Sequence, residues 1–176
     1  MFDSQQQRQA LSDTIRDLHQ RGWCDGTGGN FSLVLQKTPL RLLMAPSGIE
    51  KRNIEADELI EVDSSGNVIQ GEGRASAETD MHLKIIEQTN AKAVLHTHSI
   101  TATWLSNHYK NTGKLTIEGW EMLKGLQGIN SHSTSITLPI LLNNQNLAKL
   151  SQAAGELVRD APYGLLVAGH GLYAWG

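Results

Sequence analysis

The sequence predicts an α/β domain, with a central mixed β-sheet and helices packed on it. Three observations carry this. Short apolar runs at 31–35, 40–45, 59–62, 91–98 and 165–175 read as strands, and stretches with a 3.6-residue apolar repeat at 5–21, 77–89 and 143–160 read as helices. The two kinds alternate in blocks, the pattern of helices layered on a sheet. No repeat, low-complexity tract or linker interrupts the chain, so residues 1–176 are read as one domain.

Each element has a local reason. In helix 5–21, Leu11, Ile15 and Leu18 share a face, and Gly22 is placed to end it. Strands 31–35 and 40–45 flank Lys37-Thr38-Pro39, and strands 59–62 and 68–69 flank Asp63-Ser64-Ser65-Gly66-Asn67, both hairpin signals. Ser76 reads as the N-cap of helix 77–89, which turns Met81, Ile85 and Ile86 inward. Residues 91–98 read as a strand, 99–107 as a short helix, 115–118 as a strand and 120–126 as a helical turn or two. Pro139 makes 136–142 an edge strand or loop, because proline cannot donate to a ladder. Helix 143–160 carries the stripe Leu147, Leu150, Ala154, Leu157 and stops at Pro162; 165–170 and 172–175 close the sheet.

Composition excludes several classes of protein. The 176 residues are 39% hydrophobic and 19% charged, which excludes a disordered or collagen-like chain. Fifteen Lys+Arg against 18 Asp+Glu give a net charge of −3, without the basic excess of a nucleic-acid or anionic-membrane binder. The longest apolar run, 165–168, is too short to span a bilayer, and the polar N-terminus lacks the apolar core of a signal peptide. The single cysteine, Cys24, cannot form an internal disulfide, so a cytoplasmic location is expected.

The chemistry concentrates in histidines. In His96-Thr97-His98, residues i and i+2 of a strand project from one face, so both imidazoles address one point. That is a pair a borderline-soft divalent metal accepts. His170, between Gly169 and Gly171 at the end of an apolar strand, is the candidate third ligand. Three ligands leave coordination positions open, the pattern of a catalytic metal. The pair alone is also compatible with two satisfied polar residues at a strand end. His19, His82, His108 and His132 lack this context and are read as surface or structural.

Three turns are rich in donors. Gly26-Thr27-Gly28-Gly29-Asn30 exposes backbone N–H groups, although its spacing is neither a dinucleotide fingerprint nor a P-loop. Ala45-Pro46-Ser47-Gly48 adds a hydroxyl, with Lys51 just downstream, and Ser76 opens a helix whose N-terminus favours anions. Each is also an ordinary turn; together they would suit one small phosphate. Glu78 and Glu121 are carboxylates that spacing alone does not single out.

These motifs, in this order, resemble the class II aldolase/adducin family from about residue 20 to the end. Within the family, segments 46–51, 121–125 and 169–176 most resemble the dehydratases of methionine salvage. The resemblance implies one Zn²⁺ per subunit, or another divalent metal, held by His96, His98 and His170. It implies a phosphate pocket of Gly28, Asn30, Ser47, Gly48, Lys51 and Ser76. The substrate it implies is a small phosphorylated ketose, 5-methylthioribulose 1-phosphate, losing water. Glu121 matches the acid/base of such dehydratases and ranks first; Glu78 matches that of the sugar-phosphate aldolases and ranks second. The resemblance also implies a homo-oligomer, a tetramer, with the site near a subunit boundary. Three departures stand out, the first two from the fuculose-phosphate aldolases, which weakens the aldolase reading, and the third from the family. Ser76-Ala77-Glu78 replaces Ser-Ser-Glu, no tyrosine occurs between Tyr109 and Tyr163, and the helix that usually follows the last strand is not present before the end at Gly176. A sugar-phosphate aldolase or 4-epimerase, and a metal-free binding module like the adducin head, are the alternatives.

Overall fold

The computed structural model of the chain describes residues 4–176. Helix α1 spans Ser4–Gln20. A hairpin follows, β1 (Asn30–Lys37) and β2 (Leu40–Met44), then a second, β3 (Ile60–Val62) and β4 (Val68–Gln70). Helix α2 (Thr79–Thr89) leads to β5 (Ala93–Thr97), α3 (Ile100–His108) and β6 (Lys114–Glu118). Next come β7 (Ser135–Leu141), α4 (Leu147–Leu157), β8 (Leu165–Val167) and β9 (Gly171–Trp175).

The nine strands form one sheet in the order β4-β3-β2-β1-β5-β9-β8-β7-β6. Only β7 and β8 run parallel; every other neighbouring pair is antiparallel, so the sheet is mixed as expected. Alternate residues of the strands feed opposite faces. On one face Leu42, Met44, Val94, Leu165 and Val167 meet Met81 and Ile85 of α2 and Leu150 and Ala154 of α4. On the other, Phe31 and Leu43 meet Leu11, Ile15 and Leu18 of α1, while Leu138 and Leu166 meet Ala102 and Leu105 of α3. The sheet is therefore sandwiched between helices. Among the described residues no helix is long and apolar enough to cross a membrane.

Four expectations need correction. β7 is not an edge strand, since it lies between β8 and β6. Ile140 N–H donates to Gly113 on the β6 side, so the Pro139 nitrogen faces β8, where pairing starts only at Ile140–Leu166. No ladder donor is required of the proline. Helix α4 begins at Leu147 because the Asn146 side chain caps it by accepting from the Lys149 N–H, and Leu157, at the helix end, is partly exposed rather than in the core. Helix α2 begins at Thr79 with Glu78 as its N-cap residue; Ser76 instead closes a turn by accepting from the Glu78 N–H at 3.2 Å. Finally, β8 stops at Val167, which puts His170 in the turn that follows.

One buried ionic knot ties α1 to the β2–β3 region. Glu61, 2% exposed at its side chain, accepts from Arg8 at 2.6 Å and from Arg41 at 2.5 Å; Arg8 also donates to Leu59 O at 2.8 Å. Removing the shared carboxylate strands a buried guanidinium. Glu61→Ala should therefore lower the unfolding free energy by about 3 kcal/mol or more, measured by urea titration.

Candidate active site

His96 is the last-but-one residue of β5, fully buried, and pairs across the sheet with Asn30 of β1 and Tyr173 of β9. His98 lies just past the strand, its N–H bonded to Trp23 O at 2.7 Å. His170 arrives from the β8–β9 turn, which two glycines make possible. Gly169 adopts φ +66°, a conformation that disfavours a side chain. At Gly171 a Cβ would lie 2.1 Å from Thr97 O, so only glycine lets β9 start against the end of β5.

The three rings converge. Their centroids lie 4.7, 4.7 and 4.8 Å apart. His96 Nε2 is 2.9 Å from His98 Nε2 and 3.3 Å from His170 Nε2. His96 Nδ1 is 3.1 Å from Leu172 O, which can only accept, so Nδ1 carries the proton and Nε2 offers a lone pair. Burial, then repulsion by His98 and His170, holds His96 well below its ordinary pKa. Burial, helped by the charges of His170 and Lys51, lowers His98 to about 4. Three imidazoles whose ring nitrogens lie within 4.8 Å of one another could hold a divalent metal. A tetrahedral centre with bonds of about 2.0–2.1 Å separates its nitrogen donors by about 3.3 Å, close to the two spacings from His96.

Glu78 lies against this triad, with carboxylate oxygens 3.5 Å from His170 Nε2 and 3.8 Å from His96 Nε2. Asn30 donates to the same carboxylate. Burial pushes the Glu78 carboxyl above its ordinary range, against the opposing pull of His170 and the Tyr173 hydroxyl. Tyr173 stacks on His96 at 3.9 Å. Sequence reasoning missed it, because the pairing of residues 96 and 173 is a property of sheet register.

The three donor-rich turns are joined to the triad's surroundings. Gly29 (φ +79°) passes so close to β5 that a Cβ there would lie 2.8 Å from His96 O, and one on Gly28 would lie 3.1 Å from His98 Nδ1. Lys51, 1% exposed, donates to Thr27 O at 3.2 Å and Ile49 O at 2.9 Å, and its N–H bonds Gly26 O at 3.0 Å. Ser47 N–H bonds Arg74 O at 2.9 Å, linking the Ser47-Gly48 turn to the segment that carries Ser76. Glu121 is elsewhere: it is exposed and paired with Lys124 and with His132, 3.4 Å away. His82, read as surface or structural, is a buried structural residue 2.8 Å from Ser32 Oγ. A groove of about 620 Å³ between α2 and α4 contains none of the predicted site residues.

A mixed sheet between helices with a histidine triad that could hold a metal ion at one strand end defines the class of α/β domain, and the family follows: the chain belongs to the Class II Aldolase and Adducin N-terminal domain family, whose pattern matches residues 9–176. Among its relatives, the methylthioribulose-1-phosphate dehydratase of Yersinia enterocolitica is 39% identical over 170 residues, covering 95% of this chain and 80% of that protein. The enzyme of the same name from Pectobacterium atrosepticum is 37% identical over 174 residues, 97% of this chain and 83% of that one. The crystal structure of L-fuculose-1-phosphate aldolase from Thermus thermophilus superposes with a TM-score of 0.77 at 25% identity, covering 98% of this chain and 81% of that one.

Two outcomes follow from the geometry. His96→Ala should reduce bound divalent metal roughly tenfold or more, measured by elemental analysis after dialysis against a metal buffer; parental stoichiometry would remove the triad as a metal site. Cys24 is buried and its thiol is pushed up to about 11, chiefly by burial. It should resist a disulfide reagent at pH 8 in the folded protein and react fully in denaturant.

Proposed function

We propose that this chain is a metal-dependent dehydratase that converts 5-methylthioribulose 1-phosphate into 2,3-diketo-5-methylthiopentyl 1-phosphate, a step of methionine salvage in the cytoplasm. The observation that carries it is the convergence of three imidazoles on one point beside Glu78, in a chain 39% identical to a dehydratase of that name. His96, His98 and His170 would hold the cation, and Zn²⁺ suits this donor set best, with divalent iron or cobalt next. When bound, the cation supplies Lewis acidity to the ketose oxygens and lowers the cost of negative charge developing there.

The protein's own groups supply the rest. Glu78, held by Asn30 and 3.5 Å from His170, is placed to take the C3 proton as general base. The electron pair of the C3–H bond forms the C3–C4 double bond as the C4 hydroxyl leaves with a proton as water. The resulting enol tautomerises to the diketone, and no carbon–carbon bond breaks. Gly28, Asn30, Ser47, Gly48, Ser76 and Lys51 anchor the phosphate, which fixes the orientation of the chain of reacting carbons. Lys51 supports this role: it is a buried ammonium whose hydrogen bonds go to carbonyls, and no ion pair with a carboxylate is found for it among the described residues.

Glu121 acts as the acid that protonates the leaving hydroxyl, contributed by a second copy of the chain in a homo-oligomer, a tetramer by family resemblance. Its exposed position beside the exposed apolar residues Trp120 and Met122 supports this. An aldolase acting at this site would instead release dihydroxyacetone phosphate and an aldehyde.

Product analysis decides the reaction: the diketone and no aldehyde are expected from methylthioribulose 1-phosphate, and an aldehyde would reassign the enzyme as an aldolase. Glu78→Gln and Glu121→Gln should each lower kcat by about 100-fold. Mixing inactive His96→Ala with Glu121→Gln protein should restore turnover that neither has alone. A mixture that stays inactive, although size measurements show the two variants assembled together, would place Glu121 outside the neighbour's chemistry.

A further inference from the structure

His170 differs from His96, the buried ligand of the proposed metal site, in how its ring is oriented. A metal-binding histidine is normally aligned by a hydrogen bond from its second ring nitrogen. His96 has one, from Nδ1 to Leu172 O. The buried Nδ1 of His170 has no hydrogen-bond partner among the described residues. The position of the His170 ring therefore depends on how its backbone is held. That backbone sits in a turn, outside any strand, next to a glycine of positive φ.

The turn is bound on one side by two hydroxyl residues of α3. Gly169 N–H donates to Ser106 Oγ at 3.0 Å, and Ser106 Oγ donates in turn to Thr103 O at 2.8 Å. Thr103 Oγ1 donates to His170 O at 2.9 Å. His170 N–H closes the turn onto Val167 O at 3.0 Å. Thr103 and Ser106 are three residues apart and so face the same way along the helix. Ser106 is fully buried, where an unmatched hydroxyl would be costly. The same helix starts directly after His98, with Ser99 as its N-cap accepting from Ala102 N–H at 3.2 Å. Helix α3 is thus joined to His98 by the chain and to His170 by side chains.

We propose that Thr103 and Ser106 are positioning residues for the metal site: they latch the His170 turn onto α3 and so hold the third imidazole in register with the pair from β5. This inference rests on the reading of the triad as a metal site. With the latch open, the turn keeps its bond to Val167 but can swing His170 away from His96 and His98. The cation then loses one donor while the two-histidine half of the site is intact.

The test measures metal affinity directly. Apo protein is titrated with Zn²⁺ in competition with a chromophoric chelator, and the thermal midpoint of each apo variant is recorded alongside. Thr103→Val, which removes the hydroxyl at nearly constant volume, and Ser106→Ala should each weaken Zn²⁺ binding by about 10- to 100-fold. Thr103→Ser, which keeps the donor, should bind within about threefold of the parent. Parental affinity in Thr103→Val would overturn the latch; that variant decides alone if Ser106→Ala does not fold. His170→Ala separates the two readings. If it loses Zn²⁺ while Thr103→Val does not, the latch is wrong and the triad stands. If it keeps parental affinity, the triad itself is not the binding site.

Discussion

The geometry of the whole site hangs on the close passage of Gly171 under the end of β5. A Cβ at that position would meet Thr97 O at 2.1 Å, so β9 can start there only as glycine. That contact fixes the β5–β9 register, which sets Tyr173 against His96 and leaves His170 one residue short of the strand, in the turn. His96 and His170 are 74 residues apart in the chain, yet their Nε2 atoms come within 3.3 Å. The backbone achieves this meeting; imidazoles repel one another when charged and supply no attraction of their own.

The same shortage of space shapes the Gly-rich turn on the other side of β5. Gly29 passes beneath His96 O and Gly28 beside His98, so the loop wraps the strand end closely and delivers Asn30 into β1 opposite His96. Asn30 then reaches Glu78 at the start of α2. Further along the same faces of the two elements, Ser32 reaches His82. β1 and α2 are thereby joined by two polar bridges, one at the site and one in the core. This explains why the carboxylate stands firmly beside the triad although the first turn of α2 is short of conventional capping.

Charge distribution completes the picture. Lys51 is a buried cation held by carbonyl oxygens, and Glu78 is a half-buried carboxylate beside the imidazoles. Such isolated charges cost stability in a protein interior and are compensated by nearby dipoles or by a ligand of opposite sign. Glu61, by contrast, is neutralised by Arg8 and Arg41 within the fold, and its role is to tie α1 to the sheet. The two carboxylates thus differ in setting: one is matched by cations within the fold, the other stands beside imidazoles.

Much of this was legible in the residues. Alternating patterns placed the strands to within a few residues, the apolar stripe of α1 appeared at Leu11, Ile15 and Leu18, and the spacing of His96 and His98 put two rings on one point, because these are consequences of local periodicity. The exceptions share one cause. Pro139 inside the sheet, Tyr173 under His96, and the hydroxyls of Thr103 and Ser106 beneath the His170 turn all depend on which strands are neighbours and in what register. Local sequence sets period and turn; partners far along the chain are chosen by the packing of whole elements, and only the folded sheet makes that choice.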